Sequence, residues 1–246
     1  MDDQGAEWWD AWWRRRLARD TTDCGPLSPS WFHLHWGNLF NLSQRDDLLV
    51  HVMAEYGLRS VLCAGNGVSQ EPRALARAGF DVTAMDISAV AMAFAENYEP
   101  KPKLLGQFVS PSFFQPGGRL QFVVGNLLDS SVCPGPFDVV IERRTVERFA
   151  APDLERGLSA LAERLSPVGI FLSMCFDDNF PAALGWSQHE SGYFHASESW
   201  FRRHGWTLWE DVPRSPLVGQ AALLVRAGSL KRRPDNLLAG SPGNGL

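Results

Sequence analysis

The chain has 246 residues, 45% of them hydrophobic, which suits one domain with decorations and a sizeable core. Its formal charge of −5 argues against a general nucleic-acid binder, whose footprint is basic, and only two short basic clusters, Arg14-Arg15-Arg16 with Arg19 and Lys231-Arg232-Arg233, lean the other way. No apolar run approaches the roughly 18 residues of a membrane span, and the opening Met1-Asp2-Asp3 lacks an apolar signal core, so no membrane partner is expected. The cysteines at 24, 63, 133 and 175 show no metal-ligand spacing. They read as free thiols in a reducing cytosol, so the expected location is cytoplasmic and the expected metal content is none.

Trp8, Trp9, Trp12 and Trp13 form i, i+4 pairs on one side of a first helix, with the arginines beside them. Two readings stand: a docking helix that buries its aromatics, or a lid over a ligand pocket. Residues 20–30 read as loop. Trp31-Phe32-His33-Leu34-His35-Trp36 is polar and aromatic together, which suits an organic ligand, while His33 and His35 alone make a poor metal site. Residues 43–56 predict an amphipathic helix, with Ser43 as cap, Leu48, Leu49, Val52 and Met53 inward, and Gly57 as stop.

Val61-Leu62-Cys63 reads as a short buried strand, followed by a turn carrying Gly65 and Gly67. A bulky ligand can lie there on bare backbone. Ser69 to Ala78 predicts a helix with Pro72 in its first turn and Gly79 at its end, then Phe80 to Met85 a second strand with Asp86 at its carboxyl end. A glycine-rich strand-to-helix turn, with an acid about 20 residues on, is how α/β sheets hold an adenosine-type ligand, the acid accepting from the ribose hydroxyls. The sixth position of the turn is Gln70, too large for the close helix–strand packing of a dinucleotide site, which disfavours nicotinamide and flavin ligands.

Ser88 to Asn97 predicts an alanine-rich helix, 99–119 a loop insertion, and Leu120 to Val124 a third strand leading into Gly125-Asn126-Leu127. Phe137 to Thr145 reads as a fourth strand with a polar end, Glu142-Arg143-Arg144. Residues 152–164 form a helix with Leu154, Leu158, Leu161 and Leu165 on one face; Ser166-Pro167-Val168-Gly169 then turns into a fifth strand, Ile170 to Phe176. Residues 177–196 are a polar loop. Ser197 and Ser199 cap a helix reaching His204-Gly205. Trp206 to Val212 and Ala221 to Ala227 read as the last strands, and 229–246 as a disordered tail. The strand–helix alternation implies an α/β fold with a parallel sheet covered on both faces.

In order and spacing these motifs resemble the class I S-adenosylmethionine-dependent methyltransferases over roughly residues 57–227. Gly65 and Gly67 match the first two glycines of the family's x-G-x-G-x-G turn; Cys63 stands where its acid usually is, and Ser69 where its third glycine is. The resemblance implies a Rossmann-like seven-stranded, mostly parallel sheet with an antiparallel last strand, an amino-terminal helical cap over 1–56, a core domain over 57–228, and S-adenosylmethionine as methyl donor. Carried over by position, the donor-binding residues are Cys63, Gly65, Asn66, Gly67, Asp86, Ile87 (stacking on the adenine), Asn126 and Leu127, with Glu142 at the strand end that faces the transferable methyl group. The signatures of base-amino and cytosine C5 methylation are absent from the sequence.

Methyl transfer from a sulfonium asks the protein chiefly to hold donor and nucleophile at attack distance and exclude water. A protonated acceptor also needs a base, and His195, Glu142, Tyr193 and His189 are the candidates. Three functions compete: a small-molecule methyltransferase, which the compact size, acidic charge and aromatic amino terminus favour; a protein or RNA methyltransferase, which needs a basic groove beside the pocket; and a non-catalytic scaffold, which the departures at Cys63, Ser69 and Asn126 keep open. The amino-terminal tryptophans and the overall length are loosely similar to the thiopurine- and tellurite-type subfamily. Neither the acceptor nor the oligomeric state is legible.

Overall fold

The computed structural model describes residues 5–20, 43–99, 105, 109–143, 145–149, 151–175, 199–208 and 220–226. The elements in chain order are α1 (Ala6–Asp20), α2 (Ser43–Tyr56), β1 (Ser60–Ala64), α3 (Glu71–Arg77), β2 (Asp81–Asp86), α4 (Ala89–Asn97), β3 (Arg119–Val124), β4 (Phe137–Arg143), α5 (Ala151–Glu163), β5 (Leu165–Cys175), β6 (Trp206–Leu208) and β7 (Gln220–Arg226). Short 3-10 turns sit at Pro111–Phe113 and Val146–Arg148.

The strands form one sheet in the order β3-β2-β1-β4-β5-β7-β6. β1 to β5 run parallel, β7 pairs antiparallel with β5, and β6 pairs antiparallel with β7. The chain builds outward from β1 to β3, then returns across β1 to lay down β4. That reversal makes the carboxyl ends of β1 and β4 a topological switch point, the place where open α/β sheets hold ligands.

The two-residue period of a strand divides the core. Val61 and Cys63, Val139 and Ile141, and Ile170 and Leu172 face one cluster with Trp13 of α1, Leu49 and Met53 of α2, Leu75 of α3 and Ala91 of α4. Leu62 and Ala64, Val140 and Phe171 face the other, with Leu158 and Leu161 of α5 and Trp200, Phe201 and Trp206. A strand buried on both faces reads as an unbroken apolar run, which is why β1 and β4 stand out in the sequence.

At the amino ends of the strands, charges set the register. Asp81 accepts from Arg59 Nε at 2.9 Å and from Arg119 Nε at 3.2 Å. Asp138 takes the Arg59 and Ser60 backbone N–H groups at 2.8 and 2.9 Å. Arg73 of α3 donates to the last carbonyls of α4, Ala95 and Glu96, and so fixes where α4 lies.

Several boundaries differ from expectation. α3 starts at Glu71 rather than Ser69; the Ser69 hydroxyl accepts from the Glu71 N–H at 3.2 Å, holding the residue in the turn ahead of the helix. The expected turn at Ser166-Pro167-Val168-Gly169 lies within β5. Pairing jumps from Phe137↔Leu165 to Val139↔Ile170, so these residues form an irregularity opposite Asp138. β6 is described over Trp206–Leu208, and residues 209–212 of the expected strand lie outside the described residues. The segments at 20–30, 31–36, 177–196 and 229–246 fall, but for Asp20, outside the described residues.

Candidate functional site

The site is built on the turn after β1. Gly65 and Gly67 have φ of 64° and 54°, the left-handed region that favours glycine. Their missing side chains are used by protein neighbours. A Cβ at Gly65 would run into the Thr145 side chain, whose hydroxyl donates to the Ala64 carbonyl at 3.0 Å. A Cβ at Gly67 would lie 2.7 Å from the Trp13 ring. Between them Asn66 donates its backbone N–H to the Met85 carbonyl at 2.9 Å, locking the turn to the end of β2. Its side-chain amide donates to the Gly67 and Ser69 carbonyls at 3.2 and 3.3 Å.

Asp86 closes this arrangement. One carboxylate oxygen accepts from the Gly67 N–H at 2.7 Å and the other from the Ser88 N–H at 2.9 Å. Burial pushes its pKa above the ordinary carboxylate value, against the pull of these backbone N–H groups, and Asp10 nearby adds to the rise. A carboxylate has about four acceptor sites, so both oxygens keep capacity for donors from a ligand. Ile87 follows, half-buried, and Ser88 caps α4 by accepting from the Ala91 N–H at 3.2 Å.

The other candidates separate clearly. Asn126 is exposed beyond β3, and its side-chain oxygen accepts from the Leu128 N–H at 2.9 Å. Leu127 is buried. Cys63 faces the first core cluster, the side set by alternation with Val61. Glu142 is fully buried at the end of β4. Its carboxylate accepts from the Thr145 and Val146 N–H groups at 3.0 and 3.3 Å and from the Ser173 hydroxyl. His189, Tyr193, His195 and Arg144 lie outside the described residues.

One residue went unassigned in the sequence reading. Gln70 is almost fully buried at the end of the glycine turn, donating its Nε2 to the Val68 carbonyl at 3.2 Å. Its Oε1 has no hydrogen-bond partner among the described residues. A buried orphan acceptor costs about 1–3 kcal/mol unless a donor reaches it, and a ligand's ammonium is such a donor. Gln70 and Asp86 together therefore fit a ligand that carries both an ammonium and ribose hydroxyls. The only signal in the sequence was negative, a side chain too large for a dinucleotide turn. Among the described residues no cluster of His, Cys, Asp and Glu is arranged to hold a metal ion.

Residues 62–173 match the model of a methyltransferase domain family. This match falls within the part of the chain whose motifs resemble the class I S-adenosylmethionine-dependent methyltransferases. The matched segment begins within β1 and ends within β5, so the domain contains the glycine turn, Asp86, Asn126 and Glu142. The chain is 32% identical over 111 residues to a magnesium-protoporphyrin O-methyltransferase of Rhodobacter capsulatus; the aligned part is 45% of this chain and 43% of that protein. It thus spans less than half the length of that relative. Among solved structures it resembles the magnesium protoporphyrin IX methyltransferase of Synechocystis with bound S-adenosylhomocysteine, at a TM-score of 0.62 and 17% identity, covering 90% of this chain and 98% of that one. It also resembles an S-adenosylmethionine-dependent methyltransferase of Clostridium acetobutylicum, at 0.59 and 12%, covering 81% and 97%. At these identities both likenesses are of fold. Among the described residues no helix is long and apolar enough to cross a membrane.

Proposed function

We propose that the protein transfers a methyl group from S-adenosylmethionine to a small-molecule acceptor by in-line displacement. The observation that carries the reading is Asp86: a buried carboxylate at the carboxyl end of β2, tied to the glycine turn through the Gly67 N–H, with acceptor capacity left over. The donor supplies a sulfonium methyl, already activated for attack. In this reading Asp86 accepts from the ribose hydroxyls, Gly65-Asn66-Gly67 receives the amino-acid end, and Gln70 Oε1 accepts from its ammonium. Ile87, Asn126 and Leu127 line the adenine. Cys63 and Glu142 act from behind, one in the core under the turn and the other by holding the segment that carries Thr145 against Gly65.

His195 and Tyr193 are the proposed bases where the acceptor carries a proton. A small acceptor is supported by the name of the curated relative, which acts on oxygen of a magnesium-protoporphyrin. The same reading expects the protein in the cytoplasm, a reducing compartment where cysteines stay as thiols.

Calorimetric titration of the purified protein with S-adenosylmethionine, S-adenosylhomocysteine and NADH tests the reading. Micromolar binding of the two sulfur ligands alone is the expected result. Binding of NADH alone would replace it with an oxidoreductase, and silence from all three would leave a scaffold that has kept the fold.

A further inference from the structure

We propose that Arg164, between α5 and β5, is a positioning residue for the donor site: its guanidinium sets the shape of the loop after β3, and with it the place of Asn126 and Leu127. The inference rests on the donor reading above, which assigns Asn126 and Leu127 to the adenine, and adds a residue that does not touch the ligand. It starts from a buried cation. Arg164 is 2% exposed, and among the described residues its side chain bonds backbone carbonyls alone. A guanidinium is costly to take out of water and stays buried only where acceptors surround it.

Those acceptors come from two places. Nη1 donates to the Ala160 carbonyl at 2.6 Å, in the last turn of α5. Nη2 donates to the Asp129 and Val132 carbonyls at 2.7 and 3.0 Å, and Nε to those of Val132 and Cys133 at 3.3 and 3.1 Å. The rigid planar fork of an arginine lets one side chain serve all of these at once. The main chain of Arg164 joins in, its carbonyl accepting from the Phe137 N–H at 2.8 Å, where the loop enters β4.

The loop is fastened to Asp86 at its other end. The Gly125 N–H donates to the Asp86 carbonyl at 2.9 Å. Between the two fastenings, the Asp129 N–H donates to the Asn126 carbonyl at 3.0 Å and the Val132 N–H to the Asp129 carbonyl at 3.1 Å. The Asp129 carbonyl thus accepts from both Val132 and Arg164, and Asn126 is one hydrogen bond away from it. Val132 folds back over Gly125, where a Cβ would run into its side chain. Leu127 lies in the second core cluster with Met85, and Val132 and Cys133 pack half-buried against that cluster. Without the guanidinium, the carbonyls of Asp129, Val132 and Cys133 lose its donors and residues 129–133 open toward water. Asn126 and Leu127 then lose their fixed place, while the glycine turn and the Asp86 carboxylate, which make none of these bonds, keep theirs.

The test is calorimetric titration of the full chain with S-adenosylhomocysteine, beside hydrogen exchange with and without saturating ligand. In the parent the ligand is expected to slow exchange about tenfold over residues 65–69 and over residues 126–133. Arg164→Met, which keeps an unbranched stem, is expected to bind about tenfold more weakly. Once saturated, it keeps the protection over 65–69 and loses it over 126–133. Arg164→Lys keeps the charge but not the fork and should fall between the two. It carries the test, with the same split between the two segments, if Arg164→Met does not fold. A folded variant that keeps both protections, or loses both together, overturns the positioning role alone. No binding by the parent overturns the donor reading and the positioning role with it.

Discussion

β2 and β4 end in the same way, with a buried carboxylate that accepts two backbone N–H groups, but the two acids spend their hydrogen bonds differently. At β2, Asp86 ties together two separate segments, the glycine turn through Gly67 and the start of α4 through Ser88, with one hydrogen bond to each oxygen. At β4, Glu142 bonds its own following turn at Thr145 and Val146 through one oxygen and spends the other on Ser173. Asp86 keeps a small exposed face and Glu142 keeps none. A buried acid at a strand end can thus join two separate segments, as Asp86 does, or brace its own following turn, as Glu142 does.

The sharpest way to break this comparison is to remove the second acid. Glu142→Ala strands the Thr145 and Val146 N–H groups and the Ser173 hydroxyl, and is expected to cost about 3 kcal/mol or more of folding stability. Chemical denaturation measures it, and a loss under 1 kcal/mol would mean that Glu142 does not hold the turn. Gly65→Ala comes next, at about 2 kcal/mol, because a Cβ meets Thr145 and the backbone sits at φ 64°. Adding Thr145→Ala should recover the steric part; a double variant no more stable than the single one would leave only the backbone strain.

Asp86→Ala should weaken S-adenosylhomocysteine binding more than tenfold, equivalent to about 1.4 kcal/mol. Unchanged affinity in a folded variant would remove Asp86 from the site. The smallest effect sharpens the contrast through pH. The raised Asp86 pKa means that its stabilising contribution is complete below 3.8 and is lost as pH rises through the folded-state value. Donor affinity should run the other way, falling on acidification through that value, because a protonated carboxyl loses acceptor capacity. Asp10, whose pKa the Ser88 hydroxyl lowers by donating to it, contributes stability above 3.8 and loses it only as pH falls through its lower value. Ligand titration from pH 7 downward, with circular dichroism to confirm the fold, measures this; a flat affinity would rule Asp86 out as the acceptor.

Local pattern carried most of the parallel sheet. The apolar runs at β1 and β4 and the Asp86 spacing were legible because each depends on neighbours in sequence. The turn at Ser166–Gly169 misled for the opposite reason: proline and glycine signal a reversal, but an irregular pairing opposite Asp138 absorbs them into β5. The glycines were read as points where a ligand approaches bare backbone. Thr145 and Trp13, distant in sequence, fill those places, and no local signal announces them. The Asp10–Ser88 contact was illegible on the same ground, and Gln70 showed only as a misfit to another motif.

The tryptophans of α1 carry an optical consequence. Trp8, Trp9, Trp12 and Trp13 meet edge to face in sequence, with ring centres 4.8, 5.9 and 4.7 Å apart. Indoles that close, at fixed angles, couple their excited states and give paired bands of opposite sign in circular dichroism. Trp200 and Trp206 lie in the core on the other face of the sheet, at a remove from that array. Among the described residues this coupled array belongs to one helix, and the strength of its bands would follow the geometry of α1 without any label attached.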